Sequence, residues 1–135
     1  MPLQDKKKTL SFPKKEKLKS KKQIEALFAS GLSINSYPLK LLYLKTEFLD
    51  GVTTKTMVVV PKKTMRSAVK RNRIKRLLRE AYRLNRQDTF NNIEGNFALA
   101  ILYLGKEMPH YAFIEKKMVG LLDKFLKKQL NGFVD

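Results

Sequence analysis

A chain of 135 residues and 15.7 kDa has room for one domain, and 43% hydrophobic residues are enough to give that domain a core. Its formal charge of +17, from 29 Lys and Arg against 12 Asp and Glu, favours a polyanionic partner, nucleic acid first, over acidic small molecules or proteins. The lack of cysteine excludes disulfide frameworks, cysteine-ligated metal clusters and thiol catalysis, and the single histidine, His110, cannot build a two-histidine metal site.

No stretch approaches the roughly 18 apolar residues that cross a bilayer, and Lys6-Lys7-Lys8 is not followed by the apolar region of a signal peptide. A cytoplasmic location is expected. Residues 1–19 are lysine-rich, contain Pro2 and Pro13 and show no sustained period, so they are read as a mobile or extended basic arm in which only Leu10 and Phe12 can pack. Residues 20–135 are read as a single domain. Ser20-Lys21-Lys22-Gln23 has the form of a capping box, predicting a short helix with Ile24, Leu27 and Phe28 on one face and Gly31 as its stop. Over residues 33–48 Leu, Ile and Tyr recur without helical spacing and Pro38 would break a helix, which predicts one or two strands, the better over 39–46. Asp50-Gly51 is a turn signal, and the β-rich run Thr54-Lys55-Thr56-Met57-Val58-Val59-Val60 ends at Pro61, so the two segments are predicted to form a hairpin. After a loop marked by Asn91-Asn92 and Glu94-Gly95-Asn96, the apolar run over residues 97–104 predicts a central strand covered on both faces. Ile114, Met118, Leu121, Leu122, Phe125 and Leu126 at helical spacing make residues 111–130 an amphipathic helix packed on the sheet.

Charge is concentrated in two places. Residues 62–86 hold eleven Lys and Arg against Glu80 alone, and residues 1–30 hold nine lysines against three acids. Solvated faces usually mix signs, so this one-sidedness is the footprint of a phosphate-binding surface. Residues 67–86 are predicted as one helix. At about 100° per residue, Ile74, Leu77, Leu78, Ala81 and Tyr82 gather on one side and Asn72, Arg76, Arg79, Arg83 and Arg86 on the other. That stripe is about 21 Å long at the rise of an α-helix, enough to meet several successive phosphates. Arginine suits the task because its planar guanidinium bonds phosphate in a bidentate manner and stacks on exposed bases. Pairing of the arginines with acids elsewhere is disfavoured by the scarcity of acids. Insertion into a lipid surface competes with the need of Ile74, Leu78 and Ala81 to cover a strand. The sequence contains no Gly-rich phosphate loop, no His-containing triad and no carboxylate cluster for two metal ions. Asp50, Asp88, Glu94, Glu107 and Asp123 are scattered and read as solvated acids. Neither catalytic residues nor a protein-held metal is expected.

Lys62-Lys63 followed by Ala68-Val69-Lys70-Arg71-Asn72-Arg73-Ile74-Lys75-Arg76-Leu77-Leu78-Arg79-Glu80-Ala81-Tyr82-Arg83 resembles the RNR signature of the protein subunit of bacterial ribonuclease P. The surrounding order agrees: a short helix ending Phe28-Ala29-Ser30-Gly31, a hairpin ending Val58-Val59-Val60-Pro61-Lys62-Lys63, and a strand and final helix after the motif. The resemblance spans residues 14–130, leaving residues 1–13 as a lineage-specific extension.

The resemblance implies an α/β (α+β) sandwich with one central, mostly antiparallel sheet of about four strands and three helices in the order α-β-β-β-α-β-α. It also implies a left-handed crossover at the RNR helix, where a parallel strand pair alone would favour the right-handed connection. The activity implied is an RNA-catalysed endoribonuclease that removes the 5′ leader from precursor tRNA, with Mg²⁺ held mainly by the RNA. The protein would bind the ribonuclease P RNA and the leader and lower the Mg²⁺ requirement; it is expected to be monomeric without RNA and to have no membrane partner. Carried onto this sequence, the RNA contacts fall on Lys62, Lys63, Arg66, Lys70, Arg71, Asn72, Arg73, Lys75, Arg76, Arg79 and Arg83. The leader cleft, between the first helix and the sheet, falls on Ile24, Phe28, Leu42 and Tyr43. Two positions depart from the family pattern: Ile24 stands where an aromatic is common, and Leu42, beside Tyr43, replaces a strand aromatic. The turn Thr64-Met65-Arg66-Ser67 is one residue longer than in many relatives. Read without the resemblance, Phe28 is a core residue of a short helix. The competing function class is a ribosomal or RNA-chaperone protein, which shares the charge but not the RNR spacing; an RNA-independent nuclease would need the carboxylate cluster that is missing.

Overall fold

The structure, a computed structural model, describes residues 12–131. Its elements are α1 (Lys21–Ser30), β1 (Leu32–Ser36), β2 (Leu39–Lys45), β3 (Thr54–Val59), α2 (Ala68–Phe90), β4 (Phe97–Tyr103) and α3 (Tyr111–Asn131), which is the expected order. Ser20 caps α1 by accepting from the Gln23 N–H at 3.3 Å, and Ser67 caps α2 by accepting from the Lys70 N–H at 3.2 Å. Gly31 ends α1 with its N–H donating to the Leu27 carbonyl at 2.8 Å. A side chain at that position would collide with the same carbonyl, so glycine is needed for close approach although its φ of −70° is ordinary. α2 continues past Arg86 to Phe90.

The strand order is β1-β2-β4-β3, with β1/β2 and β2/β4 antiparallel and β3/β4 parallel. The sheet is thus mixed, and the predicted hairpin between residues 39–46 and 54–60 does not form. The true hairpin joins β1 and β2 through Tyr37 and Pro38. The reason lies in β4, whose side chains are apolar on both faces; only a position flanked on each side and covered above and below buries them all. Placed between β2 and β3, β4 separates the two segments that a local reading pairs. Asp50-Gly51 does turn the chain, with Gly51 at φ +78° and Asp50 accepting from the Val52 N–H, but the turn leads past β4 rather than into an adjacent strand.

Alternation then assigns the faces. Leu39, Leu41 and Tyr43 of β2 and Phe97, Leu99, Ile101 and Tyr103 of β4 enter the large core under α2 and α3. Ala98 and Ala100 point the other way, into a smaller cluster with Leu18, Leu27 of α1 and Phe48. Edge-to-face rings run through the large core from Tyr43 to Phe125 (centroids 5.0 Å apart), and Phe97 meets Phe125 at 5.3 Å. Part of the stretch read as an arm is packed. Lys17 pairs with Thr56 in a parallel bridge, Leu18 is buried, and Phe12 lies edge-on to Tyr82 at 5.5 Å. Leu18 was not foreseen as a core residue because a lone leucine among lysines carries no period; Leu10 lies outside the described residues.

Leu78 is fully buried at the centre of the α2 contact. Leu78→Ala is expected to cost about 2–5 kcal/mol through the cavity it leaves, measured as a lower denaturant midpoint at unchanged m-value.

Candidate nucleic-acid interface

Burial of one side of α2 sets the direction of the other. Ile74, Leu78, Ala81 and Tyr82 are all fully buried. The Tyr82 hydroxyl accepts from Thr56 Oγ1 at 2.8 Å, and burial pushes its pKa up, which keeps the phenol neutral in the core. On the α3 side, Asn85 Nδ2 approaches Glu115 Oε2 at 3.4 Å and Tyr111 donates to the same oxygen at 3.3 Å. Burial first and the Glu115 charge second push the Tyr111 pKa up to about 12. With the helix held on both sides, Asn72, Arg73, Arg76 and Arg79 are exposed, as are Lys62, Lys63, Arg66 and Lys70 leading into it, while Lys75 is half-buried. Among the described residues none of these cations takes part in an ion pair.

Three arginines of the same helix are engaged otherwise. Arg71 Nη1 donates to the carbonyls of Met65 at 3.0 Å and Arg66 at 2.7 Å, tying the loop before α2 to its first turn. Arg83 pairs with Glu80 one turn back. Arg86 pairs with Glu16, and its guanidinium lies 5.3 Å from the Phe12 ring and 5.7 Å from the Tyr82 ring. The stripe predicted from spacing therefore ends as an open surface near Arg79. Its C-terminal part holds the N-terminal segment, because Glu16, distant in sequence, folds back onto it.

The second candidate surface is the α1 side of the sheet. Leu42, Ala100 and Met57 form one row across β2, β4 and β3, and Lys40, Leu102 and Val59 form the next. Ile24 and Leu42 are half-buried here, packed on the cluster around Leu27, and Phe28 stands on the α1 rim at 47% exposure. Ile24 and Leu42 thus meet on one cluster, while Phe28 lies one helical turn beyond Ile24 along α1. Tyr43 is not among them: it is buried under α3 on the opposite face, since adjacent strand residues point to opposite sides. Met57 and Leu102 complete this surface and were missed, although once the register is known their parity assigns them to the face of Leu42. Lys55, on the same face, is paired with Asp50 at 2.7 Å, and that contact holds the Asp50 carboxyl below its usual range.

A model of the family described as Ribonuclease P matches residues 12–126, nearly the whole described fold. The chain belongs to the ribonuclease P protein family. It is 34% identical over 113 residues to the ribonuclease P protein component of Porphyromonas gingivalis, covering 82% of each chain. It is also 34% identical over 135 residues to that of Chlorobium phaeobacteroides, covering 89% of this chain and 91% of the other. Among solved structures, the Staphylococcus aureus RNase P protein superposes with a TM-score of 0.64 at 16% identity, over 82% of this chain and 94% of that one. The Thermotoga maritima protein gives 0.63 at 23%, over 81% and 96%. These two establish the shared α+β fold. Membership gives the chain the subunit role in tRNA 5′ processing within an endoribonuclease holoenzyme, which implies an RNA partner; nothing found favours a ribosomal or chaperone role.

The two kinds of arginine respond differently to removal. Arg79→Ala should leave the melting temperature unchanged and weaken RNA binding by roughly 1–3 kcal/mol, the worth of one charge-assisted contact. Arg71→Ala should lower the melting temperature as well, because two backbone carbonyls lose their donor. Thermal melts beside filter binding distinguish them, and equal melting losses would mean that α2 is oriented otherwise.

Proposed function

We propose that the protein acts as a cationic RNA-binding subunit whose partner RNA carries out the chemistry. Lys62, Lys63, Arg66, Lys70, Asn72, Arg73, Arg76 and Arg79, with Lys75 beside them, contact the ribonuclease P RNA. Ile24, Phe28 and Leu42 receive the 5′ leader of precursor tRNA, and Mg²⁺ is held mainly by RNA. The observation that carries this reading is the exposed face of α2 and its leading loop, where unpaired cations stand in succession on a rigid, buried-backed helix. Such a surface releases condensed counterions from RNA and offsets repulsion between catalytic RNA and substrate, which reduces the divalent ion needed for assembly. Arg71 contributes by holding the loop, and Arg83 keeps its Glu80 partner while adding to the field. The protein is a monomer before RNA binds and works in the cytoplasm; none of the described helices is long and apolar enough to cross a membrane.

Reconstitution tests this directly. Protein alone should leave precursor tRNA intact, while protein added to a ribonuclease P RNA should shift the Mg²⁺ dependence of cleavage to lower concentration. Cleavage by RNA-free protein that disappears on mutation of one of its residues would overturn the assignment of chemistry to RNA.

The α1 face makes a separate prediction. With Ile24 and Leu42 aliphatic, Phe28 is the exposed ring of the group. Phe28→Ala is expected to weaken precursor binding by about 1–3 kcal/mol, the range for one stacked base, and to leave mature tRNA binding unchanged. Equal loss for both substrates would remove Phe28 from leader recognition.

A further inference from the structure

The end of the sheet where β1 turns into β2 carries an aromatic concavity that neither cationic face nor leader surface uses. Tyr37, in the turn, is 70% exposed, and Phe113, in the first turn of α3, is 43% exposed. Together with Pro38, Tyr103, Lys106 and Lys117 they line a cavity of about 560 Å³. Lys117 lies one turn beyond Phe113 with its Nζ 5.7 Å from that ring. The walls are fixed. The Leu104 N–H donates to the Pro38 carbonyl at 2.8 Å, and the Tyr103 hydroxyl donates to the Glu107 carbonyl at 2.7 Å. Gly105, also in the lining, sits against the Tyr103 ring, where any side chain would collide with it.

The sheet register relates this pocket to the cationic face. Leu39 pairs with Tyr103 and Val59 with Leu102, so the β1–β2 turn, the end of β4 and the end of β3 all lie at one edge of the sheet. Lys62 and Lys63 follow directly from that end of β3. With strands about 4.8 Å apart, the turn and the start of the Lys62–Lys63 loop are separated by roughly 10–15 Å. Tyr103 and Phe113 also belong to the side covered by α2 and α3, opposite α1. Two exposed rings would ordinarily be an unpaired apolar patch. Here Lys106 and Lys117 flank them, against Glu107 alone among the lining residues, and the loop bearing Lys62 and Lys63 leaves from the same end of the sheet.

We propose that this pocket is a second nucleotide site, in which an unpaired base of RNA stacks on Tyr37 and Phe113 while Lys106 and Lys117 hold its phosphate. Every base has a π-face and the lysines bind any phosphate, so the site is tolerant of sequence. It extends the RNA-binding face across the sheet end and is separate from the leader surface on the α1 side. The inference rests on the reading of the protein as RNA-binding.

The probe is a single-stranded oligouridylate of about ten nucleotides bearing one photoreactive 4-thiouridine, incubated with the full chain. Crosslinks should map to Tyr37 or Phe113. Tyr37→Ala with Phe113→Ala should weaken binding about five- to hundredfold, and Tyr37→Phe should restore stacking. Should the double variant fail to fold, Tyr37→Ala alone, at a largely exposed position, gives the same comparison. Replacing Lys106 and Lys117 by Ala should flatten the salt dependence of binding, whereas Tyr37→Ala should leave its slope unchanged. Full affinity in a folded Tyr37→Ala, Phe113→Ala protein overturns the site. So does self-association of the wild type that Tyr37→Ala abolishes without changing oligonucleotide affinity, since the rings then serve a protein contact. Arg79→Ala in the same assay separates the two readings: loss there but not at Tyr37 removes the pocket alone, and loss at neither removes RNA binding by this face.

Discussion

Burial of Ile74, Leu78, Ala81 and Tyr82 against the sheet governs what the rest of the molecule can do. A helix carrying this density of positive charge has little reason to stay folded in isolation, because like charges at helical spacing repel and most helical stability comes from tertiary packing. Four side chains without solvent contact hold it, each worth roughly 1–3 kcal/mol for the larger ones. Exposed ion pairs contribute far less apiece. Because the buried side is fixed, the opposite side cannot rotate, and Asn72, Arg76 and Arg79 are presented at constant spacing. Rigid presentation matters for a polyanionic partner, since every side chain still mobile before contact must be ordered at the moment of binding.

The sheet makes that burial possible by its connectivity. β3 and β4 run parallel, so the chain between them must cross over, and α2 is the crossover element. The same arrangement puts β4 in the middle, with large residues Phe97, Leu99, Ile101 and Tyr103 toward α2 and α3 and small Ala98 and Ala100 toward α1. The asymmetry in size has a consequence on each side. Large residues fill a deep core under two long helices, while alanines let the single short helix α1 sit close and leave Leu42, Met57 and Leu102 half-open beside it.

Acids are few, and their placement divides the cations into two populations. Glu16 takes Arg86, Glu80 takes Arg83 and Asp50 takes Lys55, and each of these pairs braces a segment of backbone. Glu16 in particular draws residues 12–16 onto the C-terminal half of α2, with the Arg86 guanidinium over the Phe12 ring and that ring edge-on to Tyr82. Away from those sites positive charge goes uncompensated, at the loop before α2 and along its first three turns. The helix is thus compensated at its C-terminal end and left positively charged and exposed at its N-terminal end.

Helix positions, caps and the buried side of α2 were legible in the sequence because they depend on neighbours three or four residues apart. Ser20 and Gly31 act where local chemistry places them, Ser67 caps the helix it was read as beginning, and Ile74, Leu78, Ala81 and Tyr82 share a side by helical geometry alone. The RNR residues were legible on a different ground, the resemblance of Arg71-Asn72-Arg73 and its flanks to a family signature, and the family match over residues 12–126 agrees with it. Strand pairing was not, because a hydrogen-bonding partner is chosen by burial across the whole sheet, and β4 lies far along the chain from the two strands it separates. The assignment of Tyr43 to the leader surface failed on that account: a strand residue's face is known only once its sheet has a register and a cover. The engagement of Arg86 by Glu16 and of Arg71 by the Met65 and Arg66 carbonyls was equally hidden, since helical spacing reports which way a side chain leaves its helix and not what the rest of the chain brings to meet it.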